Sequence, residues 1–221
     1  MDAISDIQLF QSPWPLDTAG SLVHSGFLQA YLAARPHVFK ALDTLMGDPE
    51  YVEYAIYFTG HSLGGAQATI AYLDYMKYKY KHKPLIRAQR PRLITFGAPR
   101  VGNRQFVQQI DGLWNDEMDV EWPTVRVVHE LDLVPHLPKS IYPGQYAHSD
   151  REIWARDADD GSMDLVLCEP SANKDSRGGY RYQEDSNCSA GTNPLLWNVP
   201  DHMVYPGMRL GIPKYNVNKQ S

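Results

Sequence analysis

A serine with glycine two residues to either side, Gly60-His61-Ser62-Leu63-Gly64, stands where a short apolar run gives way to a long apolar helical pattern. That arrangement suits nucleophilic acyl transfer. A serine at a tight strand-to-helix turn holds its hydroxyl clear of the backbone, and the amide of the next residue, Leu63, is offered to a developing oxyanion. Such a turn requires small residues two before and two after the serine, because the backbone passes close to itself. Gly60 and Gly64 meet that demand, and Gly65 and Ala66 let the following helix approach the strand. A glycine-rich helix start with no chemistry is the competing reading of the motif alone.

A serine hydroxyl is a weak nucleophile. It needs a base within hydrogen-bond reach, and the base needs an orienting carboxylate. On a turn of this kind the acid comes next along the chain and the histidine last. Asp132, in VRVVHELDLVPHLP, follows a β-branched run at 124–129 and falls where loops cluster at the carboxyl ends of parallel strands. Glu130, on the same turn, competes with it. Asp116, Glu117 and Asp119 precede the run and fall at the wrong end of the strand. His136, His148 and His202 all follow the acid. His136 shares the acid's loop, and His148 lies inside QYAHSDREIW, where a packed histidine is expected. His202, in VPDHMVYPG, lies on a late loop, the usual place for this base, and is favoured. His61 is too close to Ser62 to serve as the base and reads as a structural hydrogen-bonder. No histidine or cysteine cluster has ligand spacing, so no metal or other cofactor is expected.

The elements that must position these groups follow from periodicity. Residues 25–46 read as a helix, with Phe27, Tyr31, Phe39, Leu42 and Met46 at roughly helical spacing and Pro36 kinking or interrupting it. Residues 54–59, a nearly continuous apolar run, read as a strand buried on both faces. Residues 63–80 read as a helix that is apolar all round to Met76 and then emerges in the basic KYKYKHK. Residues 92–96 and 124–129 read as further strands, 104–110 as a short helix and 141–154 as a hairpin. Residues 170–200 read as a long excursion with several turns. Strands alternating with helices predict an α/β fold with a mostly parallel central sheet and helices on both faces.

The bulk properties narrow the setting. A chain of 221 residues supports one sizeable core, and a single domain over 1–221 is expected. A formal net charge of −5 argues against nucleic acid as a partner. No apolar run approaches the ~20 residues of a membrane span. The N-terminal MDAISDIQLFQ has neither the basic nor the apolar region of a signal peptide. The two cysteines, Cys168 and Cys188, flank a polar segment; they read either as unrelated thiols or as a disulfide closing a surface loop. Asn187-Cys188-Ser189 in that loop is a glycosylation sequon.

Six blocks in order, VHSGFLQAY at 23–31, TGHSLGGA at 59–66, TFGAPRVGN at 95–103, VVHELDLVPHLP at 127–138, AHSDREIW at 147–154 and DHMVYPG at 201–207, resemble the fungal-type class 3 lipases, an α/β-hydrolase family. The resemblance implies Ser62, Asp132 and His202 as a catalytic triad and sets aside Glu130, His136 and His148. It implies a disulfide between Cys168 and Cys188, secretion, and lipid ester substrates met at an oil–water or membrane interface. Feruloyl and other carboxylesterases share the fold and form the enzymatic alternative. The family carries, before the VH-GF block, a strand whose small polar end residue gives a second oxyanion N–H, and then a lid. The first six residues here, MDAISD, resemble the second half of that lid. The expectation is therefore an N-terminally shortened chain with the Leu63 N–H as its oxyanion donor, impaired in turnover or acting only as a lipid- or partner-binding remnant.

Overall fold

The computed structural model describes residues 10–16, 20–51, 53–77, 91–113, 123–140, 146–149, 151–168, 171–174, 180–206 and 208–209. The lid-like start, the basic end of the second helix from residue 78, and Asp116, Glu117 and Asp119 lie outside the described residues.

The elements in chain order are β1 (Gln11–Pro13), β2 (Leu22–His24), α1 (Ser25–Met46), β3 (Tyr57–His61), α2 (Leu63–Tyr75), β4 (Arg92–Phe96), β5 (Gly102–Asn103), α3 (Arg104–Asp111), β6 (Thr124–His129), β7 (Tyr146–Ala147), β8 (Glu152–Asp157), β9 (Met163–Cys168), β10 (Ser171–Lys174), β11 (Tyr180–Gln183), β12 (Val204–Tyr205) and β13 (Met208–Arg209). The central sheet has five strands in the order β3-β4-β6-β8-β9. Its first four strands run parallel and β9 closes it antiparallel. A smaller sheet, β1-β2-β5-β7, flanks it.

Helix α1 starts where the His24 ring accepts the amide of Phe27, which satisfies one of the unpaired first-turn N–H groups. It runs unbroken through Pro36, against the expectation of an interruption. The carbonyl that loses its helical partner to the proline belongs to Leu32, which is exposed, so water can satisfy it. The buried face of α1, Phe27, Leu28, Tyr31 and Phe39, packs on α2. Between the two helices the buried Asp74 accepts from the Tyr31 hydroxyl and from Arg35 Nε and Nη2. Helix α2 is buried almost all round, as its composition predicts. Its Ile70, Tyr72 and Leu73 leave no surface to solvent, and Ile70 and Leu73 each contribute about 1.5–3 kcal/mol of apolar burial.

All three described helices supply one core cluster, with Phe58 and Leu93 from the sheet. On the sheet's other face Val125, Val127 and Ala155 pack with Tyr205.

Two further expectations are corrected. The run at 54–59 is not a strand buried on both faces: β3 begins at Tyr57 and, among the described strands, has β4 alone beside it, with Tyr57 and Thr59 exposed. The described residues of 141–154 do not pair with one another as a hairpin. Tyr146–Ala147 pairs with β5, whereas Glu152–Asp157 crosses into the central sheet, parallel to β6. The hairpin is β8–β9, whose turn at 158–162 closes with Ala158 N–H to Ser162 O and holds Gly161 at φ +80°. Its signal was the Ala158-Asp159-Asp160-Gly161 turn chemistry.

Candidate active site

Strand β3 delivers Ser62, and its parallel neighbour β4 fixes it: the Ser62 amide donates to the Phe96 carbonyl at 2.9 Å, one step past the end of the ladder. Ser62 then turns sharply, with φ 55° and ψ −128°, before α2 begins at Leu63. A non-glycine residue in this region is strained, and such strain persists only where the surroundings over-determine it. The close approach that the turn requires is specific. A Cβ at Gly60 would meet the backbone of Gly64 at 2.4 Å, and one at Gly65 would meet the Ala98 Cβ at 2.7 Å. A Cβ at Gly64 would meet nothing within 4 Å. The steric demand thus falls on Gly60 and Gly65, not on Gly64 as the motif suggested. Leu63 opens the helix, so its N–H belongs to the first-turn amides that find no partner within the helix.

The acid and the base that the sequence favoured stand in contact. Asp132 is fully buried at the carboxyl end of β6, and His202 Nδ1 lies 2.9 and 3.1 Å from its two oxygens. Asp132 Oδ1 also accepts the Val134 amide at 2.8 Å, and Oδ2 accepts the Tyr205 hydroxyl at 2.6 Å. Burial, and then the Asp132 charge, push the Tyr205 hydroxyl well above its ordinary range, so it stays a donor. With Asp132 on Nδ1, the proton sits there and Nε2 of His202 is left as the basic nitrogen. Removing the hydroxyl in Tyr205→Phe leaves Oδ2 one donor short; kcat is expected to fall about tenfold with KM little changed, measured on a soluble ester.

The acid and base loops are knitted together. Asp132 and Asn198 form an isolated parallel bridge. Leu133 N–H donates to Asn198 O, and Asn198 N–H donates to Leu131 O. Asp201 Oδ2 accepts the Leu131 amide and the Asn198 side-chain amide. From below, Gly97 at φ +55° lies so close that a Cβ there would stand 2.6 Å from the Tyr205 hydroxyl and 2.7 Å from Asp132 Oδ2.

The competing residues stand elsewhere. Glu130, itself at φ 41°, turns its carboxylate to the Asp157 amide at the end of β8. His136 stacks on Trp197 with ring centroids 3.8 Å apart. Burial, and secondarily the Arg100 charge, lower its pKa to about 4, so it is neutral near pH 7. His148 is buried and donates from Nε2 to the Pro135 carbonyl. His61 donates from Nε2 to the His202 carbonyl at 2.9 Å. Burial, and then the neighbouring His202, lower its pKa. Gly97, Tyr205 and Asp201 were not singled out in the sequence; all three sit inside quoted blocks, TFGAPRVGN and DHMVYPG, that could have drawn attention to them.

Cys168 and Cys188 form a disulfide. It joins the end of β9 to the turn at Ser189–Gly191, beside the buried Glu152, which accepts the Ser189 amide and pairs with Arg126. The sulfurs of this Glu152–Cys168–Cys188 group are spent on each other and offer no metal ligand. Among the described residues no helix is long and apolar enough to cross a membrane.

Residues 1–141 match the family Lipase (class 3). The lipase of Rhizomucor miehei is 29% identical over 210 residues, covering 95% of this chain and 49% of that relative. The secreted mono- and diacylglycerol lipase 2 of Gibberella zeae is 30% identical over 178 residues, covering 79% of this chain and 38% of that relative. The chain thus spans at most about half the length of these curated relatives. Among solved structures, the native propeptide complex of the Rhizomucor miehei lipase superposes with a TM-score of 0.74 at 28% identity, covering 95% of this chain and 58% of that one. A triacylglycerol lipase described as having a serine protease triad at its catalytic centre superposes at 0.71, with 29% identity and 94% and 67% coverage. The fold is that of the α/β-hydrolases.

Proposed function

Because the chain belongs to the class 3 lipase family, we propose that it is a serine ester hydrolase with Ser62 as nucleophile, His202 as base and Asp132 as orienting acid. The observation that carries this reading is the buried Asp132–His202 couple, which His61, the residue before the strained turn of Ser62, meets through a hydrogen bond to the His202 carbonyl. In the proposed cycle, His202 Nε2 takes the Ser62 proton as Oγ attacks the ester carbonyl. Asp132 holds the imidazole in that tautomer and stabilises its charged form. The Leu63 N–H, at the positive end of α2, faces the oxyanion. The tetrahedral intermediate collapses by breaking the bond to the alcohol, which leaves with the proton from His202. Water, activated by the same histidine, then releases the acid from Ser62.

The proposed substrates are acylglycerols and related lipid esters. Exposed apolar side chains flank the couple on its own loop, Leu195, Leu196, Val199 and Met203, and Leu63 follows the nucleophile. That surface suits an acyl chain presented at an oil–water or membrane interface, and the Gibberella zeae relative carries the name of a mono- and diacylglycerol lipase. A secreted location is proposed on the same basis, together with the disulfide. A fluorophosphonate probe tests the reading. Wild type should label at Ser62 and Ser62→Ala should not; equal labelling of the two removes the enzyme assignment. Rates on short-chain, long-chain and feruloyl esters then decide whether lipid esters are the preferred class.

A further inference from the structure

The arginine of TFGAPRVGN takes no part in the chemistry above, yet Arg100 is buried and holds a large set of partners. Its Nη1 donates to the carbonyls of His136 at 2.5 Å and Pro138 at 2.9 Å, and its own amide donates to Leu137 O at 2.8 Å. One residue therefore grips three consecutive carbonyls. The other side of the guanidinium is spent on Glu184: Nε and Nη2 meet its two carboxylate oxygens at 2.7 Å each.

The gripped segment adjoins the acid and reaches the loop that carries the base. It continues the turn Val134–His136, whose first amide donates to Asp132 Oδ1. Its His136 ring stacks on Trp197, and the next residue, Asn198, exchanges hydrogen bonds with residues 131 and 133. At its other end the arginine's own loop starts with Gly97, packed against Asp132 and His202.

We infer that Arg100 and Glu184 form a positioning pair that sets the Asp132–His202 geometry through the turn at 134–138; this rests on the reading of those two residues as orienting acid and base. A buried guanidinium needs a counter-charge, and a bidentate carboxylate fixes its plane as well. Burial pushes the Glu184 carboxyl up, and the Arg100 charge outweighs it, leaving the group ionised well below the usual carboxylate range. Glutamine in its place offers one acceptor and one donor, so one of the two bonds is lost and the guanidinium plane is released. Nη1 then swings off the His136 and Pro138 carbonyls. Asp132 keeps its own partners, so the couple is displaced rather than broken. Glu184 reaches this position from a segment anchored by Cys188, four residues on.

The alternative is a plain clip that closes the loop and contributes only stability. Wild type, Glu184→Gln and Arg35→Lys separate the two. The last variant weakens the comparable Arg35–Asp74 pair between α1 and α2, away from the couple. Two readouts are needed: kcat and KM on a soluble p-nitrophenyl ester, and the low-field NMR signal of the proton between His202 and Asp132, identified by its loss in His202→Gln. Glu184→Gln should lower kcat about tenfold with KM within about twofold, and should displace or broaden the low-field signal. Arg35→Lys should lower the melting temperature and leave both readouts at wild-type values. A Glu184→Gln protein that is less stable but has wild-type kcat and an unmoved signal overturns the inference. If wild type hydrolyses no ester, the acyl-transfer reading fails by itself, and the NMR signal alone decides the positioning role.

Discussion

Changing Asp132 to Asn should lower kcat on a soluble ester by about 10⁴-fold, with KM little changed. The reason lies in the donors that converge on the carboxylate. Oδ1 accepts the Val134 amide, and Oδ2 accepts both Tyr205 and His202. An asparagine has one acceptor oxygen and one amide nitrogen. If the oxygen takes the δ1 place, the amide points its protons at His202 Nδ1, and the imidazole must carry its own proton on Nε2, the nitrogen that should receive the serine's. If the oxygen takes the δ2 place, two N–H groups oppose each other at Val134. The first arrangement is the cheaper and gives a folded protein with the wrong tautomer. Stability should fall by only about 1–3 kcal/mol, measured by denaturant unfolding. Activity within tenfold of wild type would mean that another group orients the base.

Gly97→Ala should produce a comparably sharp defect from a residue with no chemistry of its own. At φ +55° a Cβ costs about 1–2 kcal/mol in backbone strain alone. Here it would also stand 2.6 Å from the Tyr205 hydroxyl, 2.7 Å from Asp132 Oδ2 and 3.0 Å from His202 Nδ1. These atoms are buried and hydrogen-bonded to one another, so relief means displacing the couple. A loss of about 10²-fold in kcat is expected. Gly161→Ala is the matched control: its φ is +80° and a Cβ there meets nothing within 4 Å. It should show the backbone cost without the kinetic one. Equal kcat for the two variants would show that the space above Gly97 is not occupied as described.

Much of the architecture was legible because it is local. The helices at 25–46 and from 63, and the strands at 92–96 and 124–129, announce themselves through period and β-branching. Asp132 and His202, favoured from their order along the chain, do meet. What sequence reasoning missed was set by partners far away. Whether residues 54–59 are buried on both faces depends on which strands flank them, and β3 has β4 on one side only among the described strands. The apparent hairpin at 141–154 failed because two residues of it pair with β5 and the rest with β6, a choice made by distant strands. Gly64 looked indispensable because the motif spaces it symmetrically with Gly60, whereas the turn leaves open space above it and crowds Gly65 instead. Glu184 was invisible inside a polar segment, since its partner lies 84 residues earlier.

The knitted loops around Asp132 and His202 also bear on how the molecule comes into being. Acid and base are separated by 70 positions in the chain, and the bonds that hold their loops together run across that same interval. Loop-closure entropy must be met before such distant contacts reward it. Helix α1 and the β8–β9 hairpin can gather from neighbouring residues, but the couple forms only once the long intervening segment has already found its place. The proposed couple is thus a product of the tertiary fold, with no local stretch of chain able to assemble it alone.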